Sequence, residues 1–299
     1  MAVTGAFGFT GRYIARRLLA AGHAVRTLTG HPDRPDPFAG RVEVKPFAFD
    51  RPADLARSLE GVSTLYNTYW VRFEHGGVTF EQAIRHTLAL FDAARQAGVR
   101  RIVHLSITGA DLASALPYFR GKGRVEAALR AGGLSHAILR PTVIFGREDI
   151  LINNIAWLLR RFPIFAVPGD GRYPVQPVYV DDVAALAVEA GQAREDLTLD
   201  AVGPETYAYE DLVRLVAGVL GRPRPIVHLP PAAVRLAASA LGGLVGDVVL
   251  TRDEIAGLMA GLLVSRAAPT GATRLSRWLR EHAATLGVRW ASELRRHYR

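Results

Sequence analysis

Three glycines, Gly5, Gly8 and Gly11, stand at G-x-x-G-x-x-G spacing between an apolar run, Ala2–Thr4, and a segment of helical period that begins at Gly11. A strand that passes at once into a helix must turn sharply, and glycine tolerates that turn. A loop of this kind also brings backbone N–H groups close to a ligand and lets helix and strand pack together, all of which side chains would obstruct. The amino end of the helix adds partial positive charge, so the segment Gly5, Phe7, Gly8, Phe9, Thr10, Gly11 and Arg12 is expected to hold the phosphates of a dinucleotide.

The remainder of the first half repeats the alternation that this start implies. Strands are expected at Ala2–Thr4, Ala24–Thr29, Val42–Phe47, Val62–Asn67, Arg101–Ser106 and His136–Arg140, with helices at Gly11–Ala21, Pro52–Glu60, Thr79–Ala97 and Tyr118–Ala131. Short β-branched runs alternating with helical periods form a parallel sheet covered on both faces. Pro52 suits a first helical turn, and Gly61, Gly98 and Gly132 lie where left-handed caps are wanted. Beyond Pro141 the rhythm loosens, with a helix near Ile152–Arg161. It resumes at Pro177–Val180, a helix capped by Asp181 and reaching Ala190, and a strand at Thr198–Val202. From Tyr207 onward the pattern is helical with proline breaks. The fold class is therefore α/β, a Rossmann-type doubly wound parallel sheet with a smaller, mostly helical C-terminal lobe. The core is placed at residues 1–203, with a substrate-side excursion at about 147–175, and the lobe at 204–299.

Composition removes several classes of function. The chain contains no cysteine, which excludes disulfides, thiol catalysis and thiolate metal sites, and no metal site is expected. It opens directly on a core strand, which leaves no room for a leader, so the cytoplasm is expected. The net charge of +9 rests on 35 arginines and two lysines against 28 acids. The last 49 residues carry nine arginines, among them Arg295, Arg296 and Arg299, and four acids. A solvated helical end, contact with an anionic membrane or a partner protein, and nucleic acid all fit that excess. No nucleic-acid module accompanies it, so none is expected as a partner. Oligomeric state is not written in the sequence.

The choice of nucleotide turns on the end of the second strand. A site for NAD places an acid there for the ribose hydroxyls, whereas this chain reads Thr29-Gly30-His31-Pro32-Asp33-Arg34. Arg12, His31 and Arg34 could neutralise a 2′-phosphate, so NADP is preferred over NAD, with Asp33 arguing the other way. Asp50 is a candidate for the adenine side and equally for a cap of the helix at Pro52.

One of the two lysines, Lys122, stands four residues after Tyr118 at the head of a helix, so both side chains share a face. A phenol is a poor acid-base group near neutrality, and a neighbouring ammonium brings its pKa towards the working range. The pair is expected to be catalytic. Ser106, or Thr108, at the end of the preceding strand could polarise a substrate carbonyl, and Ser106 is favoured.

These residues also carry a resemblance. The glycine loop, His104-Leu105-Ser106, Pro117–Lys122, Leu139–Gly146 and Gln176–Ala184 resemble the extended and atypical short-chain dehydrogenase/reductases over almost the whole chain. The chain is most similar to the NmrA-like and nucleoside-diphosphate-sugar-epimerase-like proteins, especially the branch related to a complex I accessory subunit. The resemblance implies NAD(P) along the carboxyl edge of the sheet, Asn67 and Thr68 beside the nicotinamide ribose, and Pro141, Thr142 and Val143 at the nicotinamide end. Asn67 and Thr68 could equally just end their strand. Two functions follow as expectations. One is an oxidoreductase or epimerase acting on a small carbonyl or hydroxyl substrate. The other is a cofactor-binding sensor or accessory protein, with peripheral membrane or protein-complex association, for which Trp278, Trp290 and Tyr298 would be interface aromatics, although core packing of a terminal helix explains the same aromatics and is the favoured explanation.

Overall fold

The structure, a computed structural model, describes residues 1–298. In chain order its elements are β1 (Ala2–Thr4), α1 (Phe9–Ala20), β2 (Val25–Thr29), β3 (Val42–Pro46), α2 (Pro52–Arg57), β4 (Thr64–Asn67), α3 (Phe80–Gln96), β5 (Arg101–Leu105), α4 (Pro117–Ala131), β6 (Ser135–Pro141), β7 (Val143–Phe145) and α5 (Leu151–Arg161). They continue with β8 (Phe165–Pro168), β9 (Pro174–Val175), β10 (Pro177–Tyr179), α6 (Val180–Gln192), β11 (Leu197–Ala201), β12 (Tyr207–Ala208), α7 (Tyr209–Val219), β13 (Ile226–Leu229), α8 (Pro231–Val245), α9 (Arg252–Met259), α10 (Leu275–His282) and α11 (Glu293–His297).

The chain divides into two compact units. The first comprises Met1–Pro141 and Val180–Ala201, the second Thr142–Tyr179 and Val202–Arg299. The excursion placed at 147–175 thus lies within a segment, 142–179, that clusters with the C-terminal residues rather than with the sheet.

The first unit holds a seven-stranded sheet in the order β11-β6-β5-β4-β1-β2-β3, every pairing parallel. This is the expected Rossmann-type doubly wound sheet. Its strands read as near-continuous apolar runs because both faces are covered; β5, for example, is buried at every position. One face packs Leu28, Leu65, Ile102 and Ile138 against Leu55, Leu90 and Leu129 of the helices. Strand order reverses between β1 and β4, so the crevice at their carboxyl ends is the switch point where ligands of such sheets bind.

Three local expectations need correction. Gly132 has a right-handed φ of −77°, and the left-handed turn after α4 falls on Gly133 at +70°. Asp181 does not cap α6, which starts one residue earlier, at Val180. Its carboxylate instead receives the guanidinium groups of Arg16 and Arg17 from α1, at 3.2 and 2.8 Å. Asp50 does not cap α2 either: the N-cap is Arg51, and the Asp50 side chain is 82% exposed.

The second unit is built around Phe145, Ile155, Leu159, Tyr173, Leu212, Val216 and Trp278. Of the aromatics for which core packing is favoured over an interface, Trp278 is in the core and Trp290 is half-buried against it. Trp278 is 4% exposed and stacks on His282 at 4.3 Å. Trp290 stands edge-on to Trp157 at 5.1 Å and donates its indole N–H to Asp247 at 2.8 Å. The same carboxylate accepts the backbone N–H groups of Glu293 and Leu294, which ties down the start of α11. Arg160 likewise donates to the carbonyls of Leu286 and Ala283, and so serves as a clamp on the C-terminal segment. Of the C-terminal basic residues, Arg299 lies outside the described residues. Among the described residues no helix is long and apolar enough to cross a membrane.

Candidate active site

The glycine loop has the geometry its spacing calls for. Gly5 takes φ +65°, and a Cβ on Gly11 would lie 2.4 Å from the Gly5 carbonyl oxygen, so α1 can approach β1 this closely only with glycine there. The N-cap of α1 is Gly8, no side chain caps the helix, and its first turn holds no acid. An anion at this end therefore meets partial positive charge without a competing carboxylate. Arg12 bridges back to the Phe7 carbonyl at 3.0 Å. Phe7 packs on Phe38 with ring centroids 6.3 Å apart.

Side chains lock the two strands of the switch point together. The Thr4 hydroxyl donates to Asn67 Oδ1 at 3.1 Å and accepts the N–H groups of Thr68 and Tyr69 at 2.7 and 3.0 Å. The Thr68 hydroxyl donates to the Thr4 carbonyl at 2.6 Å. Because these contacts fix Asn67 Oδ1 as acceptor, its Nδ2 donates to His104 Nδ1 at 3.0 Å. Burial and the nearby Lys122 ammonium hold the fully buried imidazole of His104 well below its ordinary pKa, so it is neutral and carries its proton on Nε2. The side chains of Asn67 and Thr68 thus spend these hydrogen bonds on joining β4 to its two neighbours, β1 and β5.

At the end of β2, the N–H of His31 donates to the Thr29 hydroxyl and the N–H of Arg34 to the His31 carbonyl, which makes a turn there. His31, Arg34 and Arg12 are all half-buried. Pro141 ends β6 in the first unit and accepts the Thr108 N–H at 3.0 Å. Thr142 and Val143 open the second unit, and Val143 pairs with Pro177.

Helix α4 brings Tyr118 and Lys122 to the ends of β4 and β5. Lys122 is 3% exposed, donates to the Leu105 carbonyl at 2.8 Å, and places its ammonium 4.5 Å from the ring centre of Trp70, which follows β4. Trp70 in turn stands edge-on to Tyr118, centroids 6.1 Å apart at 87°. Phe80 and Phe119 hold Tyr118 in the same manner, at 5.9 and 5.6 Å. One indole therefore touches both members of the pair. Sequence reasoning missed Trp70, whose only signal is its place three residues after the β4 terminus.

Ser106 faces inward. Its hydroxyl donates to Oε1 of Glu126 at 2.6 Å, so its single proton is committed to a carboxylate. Glu126, 1% exposed, also receives Arg140 at 2.9 and 2.5 Å and Arg130 at 3.0 Å. Burial alone would raise its pKa, but the bonds from Arg140 and Ser106 hold the carboxyl below the ordinary value. The sequence signal for this centre was available: Glu126 follows Lys122 by four residues, as Lys122 follows Tyr118.

Burial lowers the Lys122 ammonium to about 7, with Glu126 opposing the shift. An amine depressed in the folded state binds fewer protons than in the unfolded chain between about 7 and 10.5, so its contribution to stability rises with pH across that window. With only two lysines, 13Cε-lysine NMR resolves Lys122 directly, and its resonance is expected to titrate near 7. The Lys122→Met variant should lose the rise in stability, and a Lys122 midpoint at the ordinary lysine value would contradict this account of the site.

Comparison with known proteins identifies the family and the fold. A family model described as NAD(P)H-binding matches residues 5–151. A (4-alkanoyl-5-oxo-2,5-dihydrofuran-3-yl)methyl phosphate reductase of Streptomyces griseus is 31% identical over 244 residues, covering 80% of each chain. The chain belongs to the NAD(P)H-binding atypical short-chain dehydrogenase/reductases. Within that family it is also 29% identical over 251 residues to the mitochondrial NADH dehydrogenase 1 alpha subcomplex subunit 9 of Arabidopsis thaliana. That match covers 79% of this chain but only 62% of the plant protein. The triphenylmethane reductase of Citrobacter sp., solved with NADP(H), superposes with a TM-score of 0.77 at 20% identity, over 94% of this chain and 98% of that one. At that identity the likeness shows the fold.

Proposed function

We propose that the chain is an NADPH-preferring oxidoreductase in which Tyr118 exchanges a proton with the oxygen of a carbonyl or hydroxyl substrate. The observation that carries this reading is the Tyr118–Trp70–Lys122 arrangement at the carboxyl ends of β4 and β5, beside the switch point. The Gly5–Arg12 turn and the uncapped α1 terminus suit a pyrophosphate, and His31, Arg34 and Arg12 suit a 2′-phosphate. When bound, NADPH would supply a hydride to the substrate carbon. This chain's own residues do the rest. The Tyr118 hydroxyl gives its proton to the oxygen that gains negative charge, and the Lys122 ammonium stabilises the phenolate that remains. Asn67 acts through the strand ends it ties together. Pro141, Thr142 and Val143 are assigned to the nicotinamide end, and Asp50 to the adenine side. The Ser106 proton is given to Glu126, so Ser106 can polarise the carbonyl only by releasing that bond, and Thr108 stays the alternative. That the Streptomyces relative is a reductase supports the reading.

A titration of the protein with NADPH and NADH, followed by nicotinamide fluorescence, tests the cofactor assignment. NADPH is expected to bind about tenfold more tightly, one charge-assisted contact to the extra phosphate sufficing for that ratio. Arg34→Glu should remove the preference. Equal affinities, or tighter NADH, would overturn it. Oxidation of bound NADPH on addition of carbonyl compounds then tests for reduction.

A second reading, an accessory protein that keeps NAD(P)H as a structural group, is favoured by the commitment of Ser106 to Glu126 and by the likeness to a respiratory-complex subunit. Tight cofactor binding without turnover on any carbonyl or quinone would select it.

A further inference from the structure

Helix α8 buries one narrow stripe, Val234, Ala238 and Gly242, and packs it on β8 within the second unit. The opposite stripe, Leu236, Ala240 and Leu244, is exposed, with Leu236 at 73% and Leu244 at 77%, and Ala237 and Gly243 are exposed on its flanks. Two leucines about three-quarters exposed at i and i+8 on one apolar helix face are unusual for a surface that meets only water. The chain that leads into this helix and forms it is basic, with the nearest acids in sequence at Asp211 and at the buried Asp247. From Leu212 to Gly246 the sequence contains Arg214, Arg222, Arg224 and Arg235 and no acid. Arg214 is neutralised by Glu210, and Arg224 donates to the Leu159 carbonyl. Arg222 and Arg235 are exposed and form no ion pair among the described residues.

A second copy of the chain seated on this face would bring arginines together with no acid to answer them. An anionic bilayer answers both features at once. Fifteen residues of helix rise about 22 Å, too short to span the hydrocarbon core, so such a helix lies in the interfacial plane with its apolar stripe at the acyl boundary. We propose that α8 is an in-plane anchor for anionic membranes, with Leu236, Ala240 and Leu244 entering the acyl boundary and Arg222 and Arg235 meeting lipid phosphates. This assignment stands apart from the oxidoreductase reading, since it uses none of the residues of the first unit.

Flotation of the full chain with phosphatidylcholine vesicles, with and without phosphatidylglycerol, tests it. The protein is expected to float with the anionic vesicles and remain behind with the neutral ones, and to be released by molar salt. Leu236→Glu/Leu244→Glu should lower the partition coefficient by about tenfold or more. Both positions are exposed, so the variant should keep the unfolding midpoint and cofactor fluorescence of the wild type, which separates lost anchoring from lost folding. Two results would overturn the proposal: wild-type protein that does not float with anionic vesicles, or a double variant that floats as well as wild type. So would a wild-type dimer in light scattering that the double variant converts to monomer without any vesicle binding, because the face would then be a self-association surface.

Discussion

Replacing Tyr118 with phenylalanine is expected to lower turnover of a reducible substrate by about 10²- to 10⁴-fold, the usual contribution of a placed proton donor, while NADPH affinity changes by no more than about twofold. The expectation is sharp because the ring and the hydroxyl have separable duties. The ring is held edge-on by Trp70, Phe80 and Phe119, contacts that phenylalanine reproduces, so the fold and the position of α4 should be unaltered. Only the hydroxyl is lost. Steady-state kinetics beside a fluorescence titration separate the two quantities. A variant that turns over at the wild-type rate would remove Tyr118 from the chemistry, and one that loses cofactor affinity in parallel would assign the hydroxyl to binding. Trp70→Ala should act differently, because it releases both Tyr118 and Lys122.

The largest effect on stability is expected at Glu126. Its carboxylate is buried, and Ser106, Arg130 and Arg140 all converge on it, joining α4 to the end of β5 and to β6. Glu126→Ala leaves the Arg140 guanidinium and the Ser106 hydroxyl without their acceptor, a loss of about 3–5 kcal/mol by analogy with other broken buried pairs. Denaturant unfolding at neutral pH measures it directly. Glu126→Gln, which keeps the shape and one acceptor, should lose less. The pH dependence has a definite sign. A carboxyl whose folded pKa is depressed contributes its full stability above the ordinary value of 4.5 and loses it as pH falls through the lower folded value. The stability difference between wild type and Glu126→Gln should therefore shrink on acidification below 4.5. A difference that is flat with pH would mean that the ion pair does not hold these elements together.

The extent to which the sequence foretold this arrangement depends on how local each feature is. The parallel sheet was legible because β5 and its neighbours are short β-branched or apolar runs, and the helices between them carry the apolar period. The turn at Gly5 was legible because spacing and position are properties of nine consecutive residues. The direction of the Ser106 side chain was not, since it is decided by a carboxylate 20 residues away and by Arg140 on another strand. Trp70 was hidden for the same reason: its value comes from lying under Lys122, 52 residues later in the chain. The cap expected at Asp181 failed because two arginines of α1 compete for the carboxylate, a tertiary contact that local propensity does not contain. Core packing was the favoured explanation of Trp278 and Trp290, but the particular partners, His282 for one and Trp157 and Asp247 for the other, are tertiary and were not legible.

The account depends on a dinucleotide lying across the turn from Gly5 to Arg12 with its nicotinamide beside Tyr118. A crystal structure of the protein grown with NADPH tests that most directly. The pyrophosphate is predicted on the amino end of α1, the 2′-phosphate beside Arg12, His31 or Arg34, and the nicotinamide ring within about 4 Å of the Tyr118 hydroxyl, the reach of a near-attack arrangement. Density for NADPH at any other place, or a nicotinamide ordered on the far side of the sheet from Tyr118, would contradict it.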